Sequence, residues 1–134
     1  MEIEQRIELF LSSVSFGIAG ASKNRDKFGN KILRCYLQHG MVAVPINPKE
    51  KEIEGVACAA SVADLPDKVK SLSIVTPPAV TAQLAPEIIK KGVASVWIQP
   101  GAEHPEAITL LLEKGINVIA DGSCLLVVLG YHDD

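Results

Sequence analysis

With 134 residues, of which 48% are hydrophobic, the chain has enough apolar material for a core that needs no metal or disulfide staple. A net charge of −3 argues against a general nucleic-acid surface, and the sparse aromatic residues argue against a stacking platform for single strands. The three cysteines, Cys35, Cys58 and Cys124, are odd in number and lack C-x-x-C spacing, which leaves no disulfide framework or zinc site and predicts structural thiols.

Elements alternate along the chain. An amphipathic helix carries Ile3, Ile7, Phe10 and Leu11 on one face, and its acidic start, "MEIEQRIELF", is unlike the basic start of a signal peptide. No apolar run reaches the roughly 18 residues of a membrane span, so a soluble, cytoplasmic protein is expected. A strand over 14–19 leads into the glycine loop "GASKNRDKFGN". A helix with Ile32, Leu33, Tyr36 and Leu37 inward then stops at Gly40, and a strand follows over 41–46. The segment after it predicts a short edge strand near Val56–Cys58 and a brief helix around 64–69. A buried strand over 72–76 precedes a helix that starts at Pro77 and Pro78, that Pro86 should break or kink, and that ends at Gly92. Strands over 94–99 and 116–120 flank a helix from Pro105 to Lys114.

This alternation, with no internal repeat or linker, predicts one α/β domain over 1–134. Its form is a Rossmann-like, doubly wound, mainly parallel sheet of about five or six strands with helices on both faces. Such sheets bind ligands beyond the C-terminal ends of their strands, here the loops after Ala19, Ile46, Thr76, Gln99 and Ala120.

The first loop has the chemistry of an anion cradle. Gly20 permits a tight turn, the helix beginning near Gly29 offers unpaired N–H groups, and Lys23, Arg25, Lys27, Lys31 and Arg34 crowd around it against Asp26 alone. The gap from Gly20 to Gly29 is too long for a P-loop or a G-x-G-x-x-G fingerprint, and no G-K-[ST] follows. Where an NAD site places an acidic ribose acceptor, the second loop reads Asn47, Pro48, Lys49. A lysine there suits a phosphorylated ribose, either the 2′-phosphate of NADP or the 3′-phosphate of coenzyme A. In the third loop, Val75, Thr76, Pro77 and Pro78 form a rigid apolar wall. In the fourth, Gln99 offers an amide, Gly101 flexibility and His104 an imidazole.

In this order and spacing, "GASKNRDKFGNKILRCYLQHG", "VPINPK", "TPP", "VWIQPGAEHPE" and "GINVIADGSC" resemble the stand-alone CoA-binding domain proteins. Those are similar in turn to the N-terminal Rossmann-like domain of the succinyl-CoA synthetase α subunit. The resemblance implies coenzyme A or an acyl-CoA lying across the strand ends. The backbone at Gly20, Ala21 and Ser22, with Lys23 and Arg25, would meet phosphates; Lys49 would meet the phosphorylated ribose or a diphosphate oxygen; and Val75 to Pro78 would flank the adenine. The chain departs from the family at Asp121-Gly122-Ser123-Cys124, where an Asp-Arg-Cys triplet is frequent, and at Val75-Thr76, where many members carry Phe-Arg.

In the synthetases a histidine in a separate, following domain carries the phosphoryl group, and no such domain is expected here. With His39 read at a helix end and His132 in a loose tail, both structural or solvated, and no partners legible around His104 or Cys124, the sequence predicts a binding module without catalytic residues. An NADP-using oxidoreductase subunit and a component of a partner-dependent acyl-CoA ligase are the alternatives. Apolar edge elements are compatible with a homodimer or an unknown protein partner.

Overall fold

The computed structural model describes residues 1–133. Five parallel strands form one sheet in the order β2-β1-β5-β6-β7: β1 (Ser15–Ala19), β2 (Val42–Ile46), β5 (Ser71–Ile74), β6 (Ser95–Ile98) and β7 (Asn117–Ile119). The remaining strands, β3 (Glu52–Ile53) and β4 (Val56–Ala57), make a separate antiparallel hairpin. The edge strand predicted near residue 56 therefore pairs with its own neighbour rather than with the main sheet. Only Ala59 just beyond it bridges to Ile46.

Strand alternation sorts the core into two layers. Phe16, Ile18, Trp97 and Ile119 face α1 (Ile3–Leu11), α2 (Phe28–Gln38) and α5 (Leu125–Leu129), whose Phe10, Ile32, Leu33, Tyr36 and Leu125 complete that layer. Leu72, Ile74, Val96, Ile98 and Val118 face the other way, against a single 3₁₀ turn (Val62–Asp64), α3 (Pro78–Lys91) and α4 (Pro105–Glu113). The buried Tyr36 hydroxyl lies 2.6 Å from Ser73 Oγ, so the one polar atom of that ring is satisfied inside the layer.

Four local expectations need correction. The helix predicted around 64–69 is the shorter 3₁₀ turn, because Pro66 interrupts it and Leu65 and Val69 are pulled separately into the core. Helix α3 runs through Pro86 as one element: Thr81, Ala85 and Ile88 anchor its inner face, while Pro86 sits on the exposed side, where a missing hydrogen bond costs least. Leu37 lies outward, more than a third exposed, one step past the buried stripe. Finally, the segment after Gly130 is not a loose tail. Arg34 donates to Asp133 at 3.1 Å and stacks over the Tyr131 ring, and His132 N–H donates to the Gln38 side chain at 3.0 Å. Asp134 lies outside the described residues.

Among the described residues no helix is long and apolar enough to cross a membrane.

Candidate functional site

The chain leaves β1 for β2 on one side, then crosses back over β1 to enter β5 on the other, so the strand order reverses between β1 and β5. The loops after these two strands diverge there and open a crevice. It is the position where open α/β sheets hold ligands. A cleft of about 320 Å³ occupies it, lined by Ala19, Gly20 and Ala21 from the first loop, Ile46, Asn47 and Pro48 from the second, and Thr76 from the third. A smaller cleft of about 230 Å³ lies across the Thr76-Pro77 ridge, lined by Phe28, Val75, Pro100, Gly101 and Ala102.

Backbone proximity explains the glycines. Gly20 holds a φ of +93°, and a Cβ there would come within 2.9 Å of Val75 O. A Cβ on Gly29 would stand 2.0 Å from Gly20 O, so the first turn of α2 rests directly on the glycine loop. No side chain caps α2, which leaves the N–H groups of Phe28 and Gly29 in its first turn without intrahelical acceptors. The sheet thus presents a positive helix end beside a mostly apolar cleft.

Polar side chains around the loop act mainly as struts. Asn47 Nδ2 donates to Ala21 O at 3.1 Å, while its Oδ1 accepts from the N–H of Lys49 and of Glu50, which ties the second loop to the first. Ser22 Oγ accepts from Asn24 N–H. The buried Asn30 donates to Ser22 O at 2.8 Å and accepts from Arg34 Nε at 2.7 Å, and Arg34 in turn donates to Arg25 O at 2.7 Å. Arg34, expected among the cations that crowd the glycine loop, is buried and turned inward, its forked guanidinium reaching Asn30, the Arg25 carbonyl and Asp133 together. Lys23 and Arg25 remain on the surface, paired with Glu50 at 3.5 Å and Glu54 at 3.9 Å. The Lys49 side chain is exposed and forms no ion pair among the described residues.

The later loops are quieter. Thr76 Oγ1 is engaged with Thr81 Oγ1 at 2.8 Å, and Pro77 and Pro78 form the exposed start of α3. Gly101 lines the smaller cleft, with its N–H given to Glu103 at 2.7 Å. Gln99 is fully buried and its Oε1 accepts from Leu125 N–H at 3.0 Å, so its amide orders α5 instead of opening to solvent. His104 caps α4, accepting from Ala107 N–H through Nδ1 at 3.2 Å. Burial, reinforced by neighbouring Cys124, pushes the Cys35 thiol up to about 11, and burial beside Glu50 and Glu52 raises Cys58. Neither is a thiolate at neutral pH.

Sequence reasoning missed the far wall of the larger cleft: Ala60, Ser61 and Val62, with Val80, Leu84 and Glu87 from α3. Ala60 to Val62 lie in the irregular segment, where no periodicity marks them. Val80, Leu84 and Glu87, spaced along one helix face beside the prolines, were the accessible signal.

Compared with known proteins, residues 14–129 match the family model described as a CoA binding domain. The chain belongs to the CoA-binding domain family. This CoA-binding domain is 39% identical over 84 residues to an ADP-forming acetate–CoA ligase of Methanocaldococcus jannaschii, a match that takes in 63% of the chain and 12% of that ligase. It thus spans only a small part of the curated relatives it matches, the α subunit of the Pyrococcus furiosus ADP-forming acetate–CoA ligase II included, where the share is 20%. Among solved structures, a conserved hypothetical protein of Pyrococcus furiosus is 39% identical with a TM-score of 0.81, covering 85% of the domain and 97% of that chain. The dinucleotide forming acetyl-coenzyme A synthetase 1 of Ca. Korarchaeum cryptofilum is 28% identical with a TM-score of 0.73, covering 81% of the domain and 26% of that chain.

Proposed function

We propose that the protein binds coenzyme A or an acyl-CoA across the β1/β5 crevice and performs no chemistry by itself. The observation that carries this reading is the contact of Gly29 with Gly20: it sets an uncapped helix N-terminus against a glycine loop at the point where the strand order reverses. The diphosphate sits over Gly20, Ala21 and Ser22, with Lys23 and Arg25 at its edge. Lys49, exposed at the end of β2 and, like Lys27 and Lys51, without an ion pair among the described residues, takes the ribose phosphate. The two clefts on either side of Thr76-Pro77 give an elongated ligand one apolar seat for its base and another for its pantetheine arm.

Glu87 is the one ionisable side chain among the residues lining the two clefts, and His104 is engaged in a helix cap, which supports binding without turnover. The similarity to ADP-forming acetate–CoA ligases favours a second reading, in which the protein supplies the CoA-binding part of a ligase whose remaining functions lie on a partner. A ligand that binds only the folded state raises the melting temperature, so thermal shift with CoA, NADP, NAD and ATP tests the ligand class. CoA should protect most. Protection by NADP or NAD with none from CoA would overturn the assignment. Formation of acyl-CoA from CoA, ATP and short carboxylic acids by this chain alone would overturn the absence of chemistry.

Lys49→Ala separates the phosphates. A charge-assisted contact of about 1.5–3 kcal/mol predicts roughly tenfold or greater weakening of CoA binding and almost none for dephospho-CoA. Equal weakening of both ligands would move Lys49 to the diphosphate. No loss for either would show it to be an exposed turn residue.

A further inference from the structure

Glu54 is the only non-glycine residue at positive φ among the described residues, at +51°. It and Gly55 form the two-residue turn of the β3–β4 hairpin, where both central residues need positive φ and asparagine is the favoured first residue. A glutamate pays strain in that place and gains nothing from the turn. What its side chain does is reach back to the glycine loop: the carboxylate lies 3.9 Å from Arg25 Nε and accepts from Asn30 Nδ2 at 3.3 Å. Glu50, four residues earlier, does the same for Lys23 at 3.5 Å.

We infer that Glu54 and Glu50 are specificity-determining residues, carboxylates that pair with the loop cations and must be displaced by ligand phosphates. The inference rests on the proposed binding of a phosphorylated ligand at this loop. Lys23, Arg25, Lys27, Lys49 and Lys51 are countered by Asp26, Glu50, Glu52 and Glu54, so the two loops together are nearly neutral. A singly charged anion therefore meets little net attraction. A ligand carrying a diphosphate and a further phosphate recovers both cations at once, because its Coulombic gain scales with its charge while the displaced carboxylates stay the same. The pair of glutamates thus sets a minimum ligand charge.

The test is isothermal titration of the full chain with CoA, dephospho-CoA and inorganic diphosphate, using wild type, Glu54→Asn and Glu50→Gln. Asparagine suits the left-handed turn, so Glu54→Asn should melt no lower than wild type. Each substitution should tighten CoA by about two- to fivefold, the range expected of exposed ion pairs, and dephospho-CoA and diphosphate by at least as much, because the carboxylate removed is the same for every ligand. Unchanged or weaker CoA binding in both folded variants would overturn the inference and make Glu54 a strut like Asn30. If wild type binds no CoA, the assignment of the ligand fails separately. Diphosphate tightening in the variants would still support the role of the carboxylates, and its absence would overturn that role too.

Discussion

Gly29→Ala should unfold the ligand loop and cost the protein at least about 3 kcal/mol, at the upper end of overpacking, because the added methyl meets the Gly20–Ala21 backbone and not a movable side chain. The ideal Cβ would stand 2.0 Å from Gly20 O and 3.2 Å from Ala21 Cα, with no flexible side chain to yield. Relief requires α2 to lift off the loop, yet α2 is held by Ile32, Leu33 and Tyr36 in the core. A chain of this size loses on the order of 10 °C in Tm for such a change, and CoA protection should vanish with it. A Gly29→Ala protein with unchanged Tm would show that the helix does not sit on the loop.

Arg34→Ala should be the next most damaging change, at about 3 kcal/mol. Its guanidinium joins the Asn30 amide, the Arg25 carbonyl and Asp133 at 2.7, 2.7 and 3.1 Å, and its removal leaves the buried Asn30 Oδ1 without that donor. The same substitution frees the backbone at 22–25, so amide hydrogen exchange there should accelerate and CoA affinity fall. Arg34→Lys, which cannot fork to three acceptors, should rescue only part of this. Full stability in Arg34→Ala would contradict the strut. The hydroxyl of Tyr131 and then Arg34 hold the Asp133 carboxyl below its ordinary range. Since its folded value is depressed, the contact to Arg34 is intact above the ordinary aspartate value and is lost only as pH falls through the lower one.

The sheet was legible because Phe16 and Ile18, Leu72 and Ile74, and Val96 and Ile98 alternate within runs bounded by glycine and proline, and burial on both faces permits few other arrangements. The glycine loop was legible for a related reason, since Gly20 and Gly29 stand where backbone must approach backbone. Its polar furniture was not. Lys23, Arg25 and Arg34 look alike as charges in a row, but Arg34 points inward and the other two meet glutamates far along the chain, Glu50 in the second loop and Glu54 in the hairpin turn. Periodicity says which face of a helix is apolar and is silent on which cation finds which carboxylate. The docking of Tyr131 and His132 on α2 was hidden likewise, because a short helix after Cys124 redirects the chain without any long apolar repeat. Gln99, expected as a ligand contact from its place at a strand end, is fully buried, with its Oε1 bonded to the first residue of α5, an element the sequence pattern did not announce, and its Nε2 without a partner among the described residues.

Backbone amide shifts on titration with CoA test the central claim most directly. Saturable changes are predicted at Gly20 to Arg25, Asn47 to Lys49 and Val75 to Thr76, with the opposite end of the sheet, around Leu9, Ser95 and Leu112, left unmoved. Changes centred on Leu9, Ser95 and Leu112, or no saturable change anywhere, would contradict the placing of CoA at the β1/β5 crevice.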